Sequence, residues 1–297
     1  MTTTGTAPGG SATLAGRRVA RIGFGALQLA GIQNRPGPAP DVAVAVLRAA
    51  VDAGVNHIDT AQFYGAGRCN ELIREALAPF PDDLVLVSKV GAEHDERAGR
   101  LVAAQRPEQL RAGVLANLAT LGVERIDVVN LRRLDAPPGI LAQDDQVVDL
   151  DSQLAELVAL RDEGKIGGIG LSSVSAEQLR AALPAGIVCV QNAYSLLDRA
   201  SQPVLDVCRE QDIAWVPYFP LGSGLPHIPK VTEHPAVIAA AASLGATPAQ
   251  VGLAWLLATY THTLLIAGTG NLAHLADNIE AGDVPLDPAT IATLGAI

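Results

Sequence analysis

The 297-residue chain has little of what marks disulfide-rich or zinc-binding proteins. Its three cysteines lie far apart and include no Cys-x-x-Cys pair, so neither a disulfide framework nor a zinc site is expected. The histidines show no metal-ligand spacing, and no metal site is expected from them. Because this cysteine usage suits a reducing compartment, we expect the protein in the cytoplasm.

Positive charge is also scarce. The chain has 21 Lys and Arg against 31 Asp and Glu, a formal net charge of −10 at pH 7, which repels nucleic acids and anionic lipids. No apolar run is long enough to span a bilayer, so neither a nucleic-acid partner nor a membrane is expected. The Thr- and Gly-rich start lacks the charged and apolar regions of a signal peptide, and residues 1–15 are expected to form a flexible N-terminal segment.

Aromatic residues make up only 3% of the chain, whereas the hydrophobic residues together make up 49%. The core must therefore consist mainly of Ala, Val, Leu and Ile, which suits helices packed around a parallel sheet. An α/β barrel commonly takes about 250 residues as one domain. We therefore expect residues 16–297 to form a single domain.

Short apolar segments alternate with helical patterns along the chain, and each pair takes about 30 residues, the size of a βα unit. The predicted strands are Arg21–Phe24, Val55–Asp59, Leu84–Lys89, Ile126–Leu131, Ile166–Leu171, Ile187–Gln191, Ile213–Pro217 and Leu264–Ile266. The predicted helices are Val42–Ala53, Asn70–Pro79, Pro107–Leu121, Ser152–Glu163, Ala176–Leu183, Pro203–Glu210, Ala236–Leu244, Pro248–Leu257 and Leu272–Glu280. Eight βα units without a composition break predict a closed (β/α)8 TIM barrel with one added helix.

An open, doubly wound sheet is the alternative fold. Its dinucleotide-binding fingerprint, G-x-G-x-x-G, is poorly matched, because Gly23 and Gly25 are followed by Gln28 where the third glycine should fall. Three long loops, Gly31–Pro40, Leu134–Asp149 and Leu225–Glu233, are expected to form the walls of a substrate site.

The most informative segment is His57–Gly65, where a predicted buried strand delivers Asp59 to its carboxyl end and Tyr64 follows in the loop. In α/β barrels the carboxyl ends of the strands hold the active site. Alternatively, Asp59 and Thr60 only cap the helix that begins near Arg68. His57 itself is expected to be a partly buried strand histidine rather than a catalytic base.

The next strand favours a chemical role for this segment. It is apolar until it delivers Lys89 at its carboxyl end, and neighbouring strands lie about 4.8 Å apart, so a buried ion pair between Asp59 and Lys89 is expected. Tyr64 can fold over this pair. An adjacent ammonium lowers the pKa of a phenol, which would make Tyr64 a proton donor near neutral pH.

In type, order and strand position, Asp59, Tyr64 and Lys89 resemble three members of the catalytic tetrad of the aldo-keto reductases. The resemblance runs from about Val19 to Ile297 and implies a (β/α)8 barrel that reduces an aldehyde or ketone to an alcohol, with NADPH or NADH as hydride donor and Tyr64 as proton donor. The segments most similar to the bacterial pyridoxal reductase branch, for which pyridoxal is the candidate substrate, are His57–Gly65, Asn70–Leu77, Asp127–Arg132 and Val188–Asn192.

The fourth member of that tetrad is normally a histidine at the end of the fourth strand, and Arg132 stands there in this chain. An arginine does not titrate, but it can offer fixed donors to a developing alkoxide or hold an anionic ring oxygen of the substrate. Alternatively, Arg132 is a surface residue paired with a loop acid such as Asp135.

The resemblance also implies a cofactor site. Serines after the fifth strand and a glutamine after the sixth would bind the nicotinamide amide, an aromatic residue would stack on its ring, a glycine-rich loop would hold the pyrophosphate, and a helix N-terminus would hold the 2′-phosphate. The implied residues are Ser172, Ser173, Gln191, Tyr218, Phe219, Leu221, Gly222, Gly224, Gly268, Thr269, Gly270, Asn271, Asp277 and Asn278. Family members often have Arg or Lys after the threonine of this helix start, where this chain has Gly270 and Asn271, so the preference for NADPH over NADH is left open.

Two other functions stay open at this point. A lysine at a barrel strand end can form a Schiff base, so a lyase using Lys89 is one alternative. The other is a barrel that binds a nicotinamide cofactor with little turnover and acts as a sensor. In each case the expected partner is a small molecule, and the chain can be a monomer or a small homo-oligomer.

Overall fold

The computed structural model describes residues 7–32, 35–95, 99–137, 139–222 and 228–297. The strands are β1 (Ser11–Leu14), β2 (Arg17–Ala20), β3 (Phe24–Gly25), β4 (Gly31–Ile32), β5 (Arg35–Pro36), β6 (His57–Asp59), β7 (Val85–Val90), β8 (Ala92–Asp95), β9 (Arg100–Ala103), β10 (Ile126–Arg132), β11 (Ile166–Ser172), β12 (Ile187–Gln191) and β13 (Ala214–Trp215). The helices are α1 (Pro40–Asp52), α2 (Arg68–Leu77), α3 (Pro107–Leu121), α4 (Leu150–Asp162), α5 (Ala176–Ala182), α6 (Gln202–Glu210), α7 (Pro235–Leu244), α8 (Pro248–Thr259), α9 (Leu272–Glu280) and α10 (Pro288–Gly295).

Seven of these strands form a parallel sheet in the order β13-β12-β11-β10-β7-β6-β3. The predicted eighth strand is reduced to two parallel backbone bridges, in which Thr263 pairs with Trp215 on β13 and Leu265 pairs with Ile22 just before β3. These bridges join the two edges of the sheet, so the strands close into a barrel. The (β/α)8 barrel is confirmed, and the open-sheet alternative is wrong.

Helix α10 was not among the predicted helices. It begins with Pro288 at its first position, after Asp287, whose carboxylate accepts a hydrogen bond of 2.6 Å from the backbone N–H of Thr290. An N-terminal cap followed by proline is a recognised start signal, so the helix was predictable from this pattern. Among the described residues, no single helix is long and apolar enough to cross a membrane, although α7 and α8, which meet at 94°, would reach that length and apolarity together.

An antiparallel hairpin of β1 and β2 precedes the barrel, with Leu14 opposite Arg17 in its last pair. Its two-residue turn, Ala15 and Gly16, has left-handed φ angles of 49° and 76°, as tight hairpins require. Leu14 and Val19 pack into the barrel interior. Residues 11–15 of the predicted flexible segment thus form the first strand of this hairpin and the start of its turn, while residues 1–6 lie outside the described residues.

The barrel interior is filled by small aliphatic side chains, and the larger core lies between the sheet and the surrounding helices. The interior set includes the buried residues Val85, Val87, Val128, Cys189, Ala214, Val216 and Leu264. All three cysteines are buried and unpaired. Burial on both faces explains why these strands read as continuous apolar runs in the sequence.

His57 at the start of β6 is more deeply buried than expected, with only 1% of its surface exposed. Its ring lies directly against Gly23, where a Cβ would come within 2.1 Å of Nε2. Among the described residues, neither ring nitrogen has a hydrogen-bond partner. Burial therefore lowers the pKa of His57 to about 4, and the nearby backbones of Leu265 and Ala20 offset only part of this shift.

We expect His57 to make the fold sensitive to acid. Between pH 6.5 and about pH 4, His57 is protonated in the unfolded chain but neutral in the native protein. The free energy of unfolding therefore falls as the pH is lowered through this window. A shift of this size corresponds to about 3 kcal/mol. Urea denaturation at pH 7 and pH 4.5 measures the loss.

The matched comparison is between His57→Leu, which removes the buried imidazole, and His274→Leu, which removes an exposed one on α9. The loss of stability between the two pH values should shrink in the first variant and persist in the second. An equal loss in both variants would contradict the assignment to His57.

Candidate functional site

The carboxyl ends of the barrel strands surround a pocket of about 320 Å³. All four residues predicted to be catalytic line it, and so do five of those predicted to bind cofactor: Ser172, Ser173, Gln191, Tyr218 and Phe219. The pocket brings together side chains that end β6, β7, β10, β11 and β12 or follow them. Strand ends that are distant in sequence thus meet at one mouth, as expected for this fold.

A buried ion pair between Asp59 and Lys89 forms the floor of this pocket. Lys89 also donates a hydrogen bond of 3.1 Å to the backbone carbonyl of Thr60. The second carboxylate oxygen of Asp59 accepts a hydrogen bond of 2.6 Å from Nε2 of Gln191. The capping alternative for Asp59 is wrong, because Gly67 is the N-cap of α2 and that helix start receives no side-chain cap.

The lysine of this pair is held in its charged form. Burial lowers the pKa of Lys89, but the charges and hydrogen bonds of Asp59 and Tyr64 together more than offset burial, so that the pKa lies above its usual value. A Schiff-base lysine needs a neutral amine at working pH. The ion pair therefore counts against the lyase alternative.

Tyr64 lies beside the pair, with Nζ of Lys89 5.0 Å from the centroid of its ring. Burial raises the pKa of the phenol, and the charges of Lys89 and Arg132 offset only part of that rise. The prediction that the pKa of Tyr64 falls below its ordinary value is therefore wrong in its net direction. The phenol holds its proton at neutral pH, and Lys89 reduces the cost of releasing it.

A network of fully buried side chains holds the two strand ends that carry this pair. Asn70 on α2 accepts a hydrogen bond of 2.8 Å from the Thr60 hydroxyl and donates one of 2.9 Å to Asn117 on α3. Asn117 also accepts a hydrogen bond of 2.6 Å from Ser88. The residue after Asp59 and the residue before Lys89 are thus tied to the same two helices. Polar residues on the inner faces of α2 and α3 were the sequence signal for this network.

Arg132 lies in the pocket wall, with its Cζ 5.7 Å from the centroid of the Phe63 ring. The alternative in which it pairs with Asp135 is wrong, because Nε of the neighbouring Arg133 donates to that carboxylate over 2.8 Å. No carboxylate among the described residues forms an ion pair with Arg132. Within the described ranges, its charge therefore faces the pocket without an anionic partner.

Gln105, a residue that the sequence patterns did not single out, fixes the backbone at Arg132. Its side chain is 1% exposed, and Nε2 donates hydrogen bonds to the carbonyls of Gly91, over 2.6 Å, and Arg132, over 2.9 Å. Its Oε1 accepts a hydrogen bond of 3.1 Å from Gln153 on α4. Gly91 has a φ of 107°, and a Cβ there would come within 2.3 Å of the Arg132 carbonyl. The ends of β7 and β10 are thereby locked together.

The nicotinamide-binding part of the prediction begins beside Arg132, because Ser172 at the end of β11 is paired with Arg132 at the end of β10. The Ser173 hydroxyl is 3.1 Å from the Tyr218 hydroxyl, and the rings of Tyr218 and Phe219 meet edge to face at 5.1 Å. Ser173 and Phe219 have left-handed φ angles of 60° and 55°. Such non-glycine conformations cost about 1–3 kcal/mol each and cluster at functional sites.

Gln191 offers a test of whether a nicotinamide fits this pocket. Its Nε2 is engaged by Asp59, while its buried Oε1 has no donor among the described residues. A carboxamide N–H group is the kind of donor that this oxygen lacks. The donor set of the pocket therefore fits the group that the sequence implies.

The residues predicted to hold the rest of the cofactor do not line this pocket. Gly222 and Gly268 are needed for close packing, because a Cβ at either would come within 2.1 Å of a backbone oxygen, that of Pro229 or Gly25. Gly224 lies outside the described residues. Leu221 is partly buried and packs against Gly252.

The predicted adenosine end is built around the start of α9. Asn271 is the N-cap, and its side-chain oxygen accepts hydrogen bonds from the backbone N–H groups of Ala273 and His274. Thr269 accepts one of 3.0 Å from the Asn271 N–H, and Gly270 packs on Pro38. Asp277 is partly exposed, whereas Asn278 is buried and donates to the Ala267 carbonyl, which gives it a structural contact.

Several pocket residues were not predicted. They are apolar or come from short segments after the main strands: Leu27, Phe63, His94, Leu101, Gly139 and Ile266. Phe63 could have been found from its place beside Tyr64. His94 and Leu101 belong to the β8–β9 hairpin, whose short strands carry no clear alternation of apolar and polar residues.

Comparison with known proteins assigns this architecture. A sequence model of the aldo/keto reductase family matches residues 21–297. The chain belongs to the aldo/keto reductase family. It is 42% identical over 288 residues to pyridoxine 4-dehydrogenase of Escherichia coli (strain K12), covering 96% of this chain and 97% of that protein. It is 30% identical to probable aldo-keto reductase 1 of Glycine max, covering 91% and 83% of the two chains.

Solved structures agree with this assignment. A thermostable aldo-keto reductase in complex with the inhibitor epalrestat is 26% identical with a TM-score of 0.80, covering 96% of this chain and 98% of that chain. An aldo/keto reductase from Klebsiella pneumoniae in complex with NADP and acetate is 25% identical with a TM-score of 0.76, covering 94% and 91%. This aldo-keto reductase is therefore an NAD(P)H-dependent oxidoreductase acting on carbonyl or alcohol groups, and the resemblance to the pyridoxal reductase branch is confirmed.

We expect Gln105→Leu to destabilise this aldo-keto reductase by about 1–3 kcal/mol, since it removes the side-chain donor of the Arg132 carbonyl and one of the two donors of the Gly91 carbonyl, the other being the Ala104 N–H. Denaturant unfolding followed by circular dichroism measures the change. Gln143→Leu is the matched control, because Gln143 is exposed in a nearby loop. Equal stability of the two variants would contradict the role given to Gln105.

Proposed function

We propose that this aldo-keto reductase reduces an aldehyde to the primary alcohol with NADPH, and that pyridoxal, which becomes pyridoxine, is its substrate. The observation that carries the proposal is the buried Asp59–Lys89 pair beside a protonated Tyr64 in a pocket with mainly apolar walls. The similarity to pyridoxine 4-dehydrogenase supports the choice of substrate. Overall, aldehyde, NADPH and one proton give alcohol and NADP.

When bound, the cofactor supplies the hydride that reduces the carbonyl carbon. Tyr64 donates its proton to the carbonyl oxygen as that oxygen becomes negative. Lys89 stabilises the resulting phenolate by charge, and Asp59 keeps Lys89 protonated and aimed at the phenol. Arg132 offers fixed donors to the substrate from the end of β10.

The cofactor is proposed to lie along the wall formed after β11 and β12. Ser172, Ser173 and Gln191 would bind the carboxamide, and Tyr218 would present its ring to the nicotinamide. The buried Oε1 of Gln191, which has no donor among the described residues, supports this placement. The left-handed backbone at Ser173 supports it as well, since strain of this kind persists where function requires it.

We expect Tyr64→Phe to lower kcat for pyridoxal by at least about 100-fold, because general acid catalysis contributes roughly 10²–10⁴ to such rates. Cofactor affinity, measured by quenching of protein fluorescence, should not change. Tyr260→Phe is the control, since Tyr260 lies outside the pocket and its hydroxyl donates to the Cys208 carbonyl. A Tyr64→Phe enzyme as fast as the parent would show that Tyr64 is not the donor.

The preference for NADPH should be weak and open to improvement. No Lys or Arg occurs from Gly268 to Glu280, and the side chain of Asn271 already occupies two N–H groups of the α9 start. Leu272, the first residue of that helix, is 51% exposed. We expect Leu272→Lys to raise the affinity for NADPH relative to NADH by about 3- to 10-fold.

Fluorescence titration with both cofactors measures this ratio. Leu115→Lys is the control, because Leu115 is similarly exposed, at 45%, and lies on α3 away from the pocket. An unchanged ratio in Leu272→Lys would place the 2′-phosphate elsewhere.

A further inference from the structure

The charges that line the pocket do not balance. The ammonium of Lys89 is neutralised by Asp59, whose two carboxylate oxygens are both occupied, by Lys89 and by Gln191. Arg132 faces the same space with no carboxylate partner among the described residues, because the loop acid Asp135 belongs to Arg133. Among the described residues, one fixed positive charge is therefore left over in the pocket wall.

The surroundings of this charge make its imbalance chemically important. The pocket is lined largely by apolar side chains, including Leu27, Leu101 and Ile266, and the Arg132 guanidinium lies over the Phe63 ring. A cation that is partly withdrawn from water and unpaired favours an anionic partner, especially one that can accept two parallel hydrogen bonds. The pocket is thus complementary to a ligand that brings a negative charge.

In the part of the chain that the structure describes, the titratable and charged groups that face this space are Asp59, Tyr64, Lys89, His94, Arg132 and Tyr218. Asp59 is the acid among them, and it is already paired. None of these groups can neutralise Arg132 without breaking the ion pair on which the proton donor depends. A substrate that carries a negative charge would supply the balance that these residues lack.

We propose that the substrates of this enzyme are aromatic aldehydes that carry an ionised hydroxyl next to the aldehyde, and that Arg132 binds this phenolate oxygen. The inference rests on the proposed carbonyl reductase function and specifies its substrate class. It gives Arg132 a target different from that of Tyr64, since Tyr64 acts on the carbonyl oxygen and Arg132 on the ring oxygen.

This arrangement also has a consequence for reactivity. An ionised oxygen next to an aldehyde donates electrons through the ring, which makes the carbonyl carbon a poorer hydride acceptor. A guanidinium that binds the phenolate keeps the negative charge on that oxygen. Arg132 would thus restore the reactivity of the carbonyl carbon that ionisation of the substrate removes. The enzyme should therefore prefer the ionised form of the substrate, although that form is intrinsically less reactive.

The wild-type enzyme with NADPH tests the preference. Values of kcat/KM are measured from pH 6 to pH 9 for 2-hydroxybenzaldehyde and 2-methoxybenzaldehyde, and for 3-carboxybenzaldehyde, whose anion is a carboxylate. The hydroxy-to-methoxy ratio should rise with pH as the phenol ionises, by roughly 10-fold, the range of a charge-assisted hydrogen bond. Titration of groups on the enzyme affects both aldehydes and cancels in the ratio.

Two variants assign the preference to its residue. Arg132→Met should lower the hydroxy-to-methoxy ratio at pH 9 by roughly 10-fold or more, and Arg132→Lys should lower it less, because the charge remains and the planar fork is lost. Losses common to both aldehydes do not change the ratio. Arg180→Met, which removes an exposed arginine on α5, should leave the ratio as in the wild type.

Each outcome is decisive. A ratio that is independent of pH, or unchanged in both Arg132 variants, overturns the assignment of the phenolate to Arg132. A preference for 3-carboxybenzaldehyde over 2-hydroxybenzaldehyde would show that the pocket selects a carboxylate rather than a phenolate. That result overturns the proposed substrate class. Failure of the wild-type enzyme to reduce any of these aldehydes, or pyridoxal, with NADPH overturns the proposed function instead.

Discussion

The buried ion pair between Asp59 and Lys89 is the interaction on which the rest of the site depends. Burying two charges is costly unless their geometry is good and their remaining hydrogen-bonding positions are filled. Here Lys89 reaches the carbonyl of Thr60 and Asp59 accepts from Gln191, so both conditions are met. The pair keeps a positive charge beside Tyr64 in a place where a lone lysine would lose its proton.

Two sets of buried amide side chains support this pair and the neighbouring strand end that carries Arg132. Asn70 and Asn117 anchor the strand ends of Asp59 and Lys89, and Gln105 anchors the strand end of Arg132. In both sets, a buried amide side chain forms a hydrogen bond with a functional residue or with its neighbour in the sequence. The site is therefore fixed by the barrel and its helices, even though its outer walls come from loops.

The strand ends and their chemistry could be predicted from the sequence because each is a local pattern, an apolar run that finishes in a polar residue. Properties that depend on the assembled environment could not be predicted from the sequence. Burial decides the direction of the pKa shift of Tyr64, and it is created by walls that include Phe63 and Leu101 from separate segments. The sequence alone also could not tell which of the adjacent arginines, Arg132 or Arg133, forms an ion pair with Asp135. That pairing depends on the direction in which each side chain points at the end of β10.

The hairpin of β1 and β2 has a consequence for how ligands enter and leave the enzyme. Leu14 and Val19 pack into the interior of the barrel, so that the end of the barrel opposite the pocket is closed. In the described part of the chain, the pocket then opens at the carboxyl ends of the strands. If the proposed cofactor and substrate share this opening, the ligand that binds deeper has to arrive first and leave last.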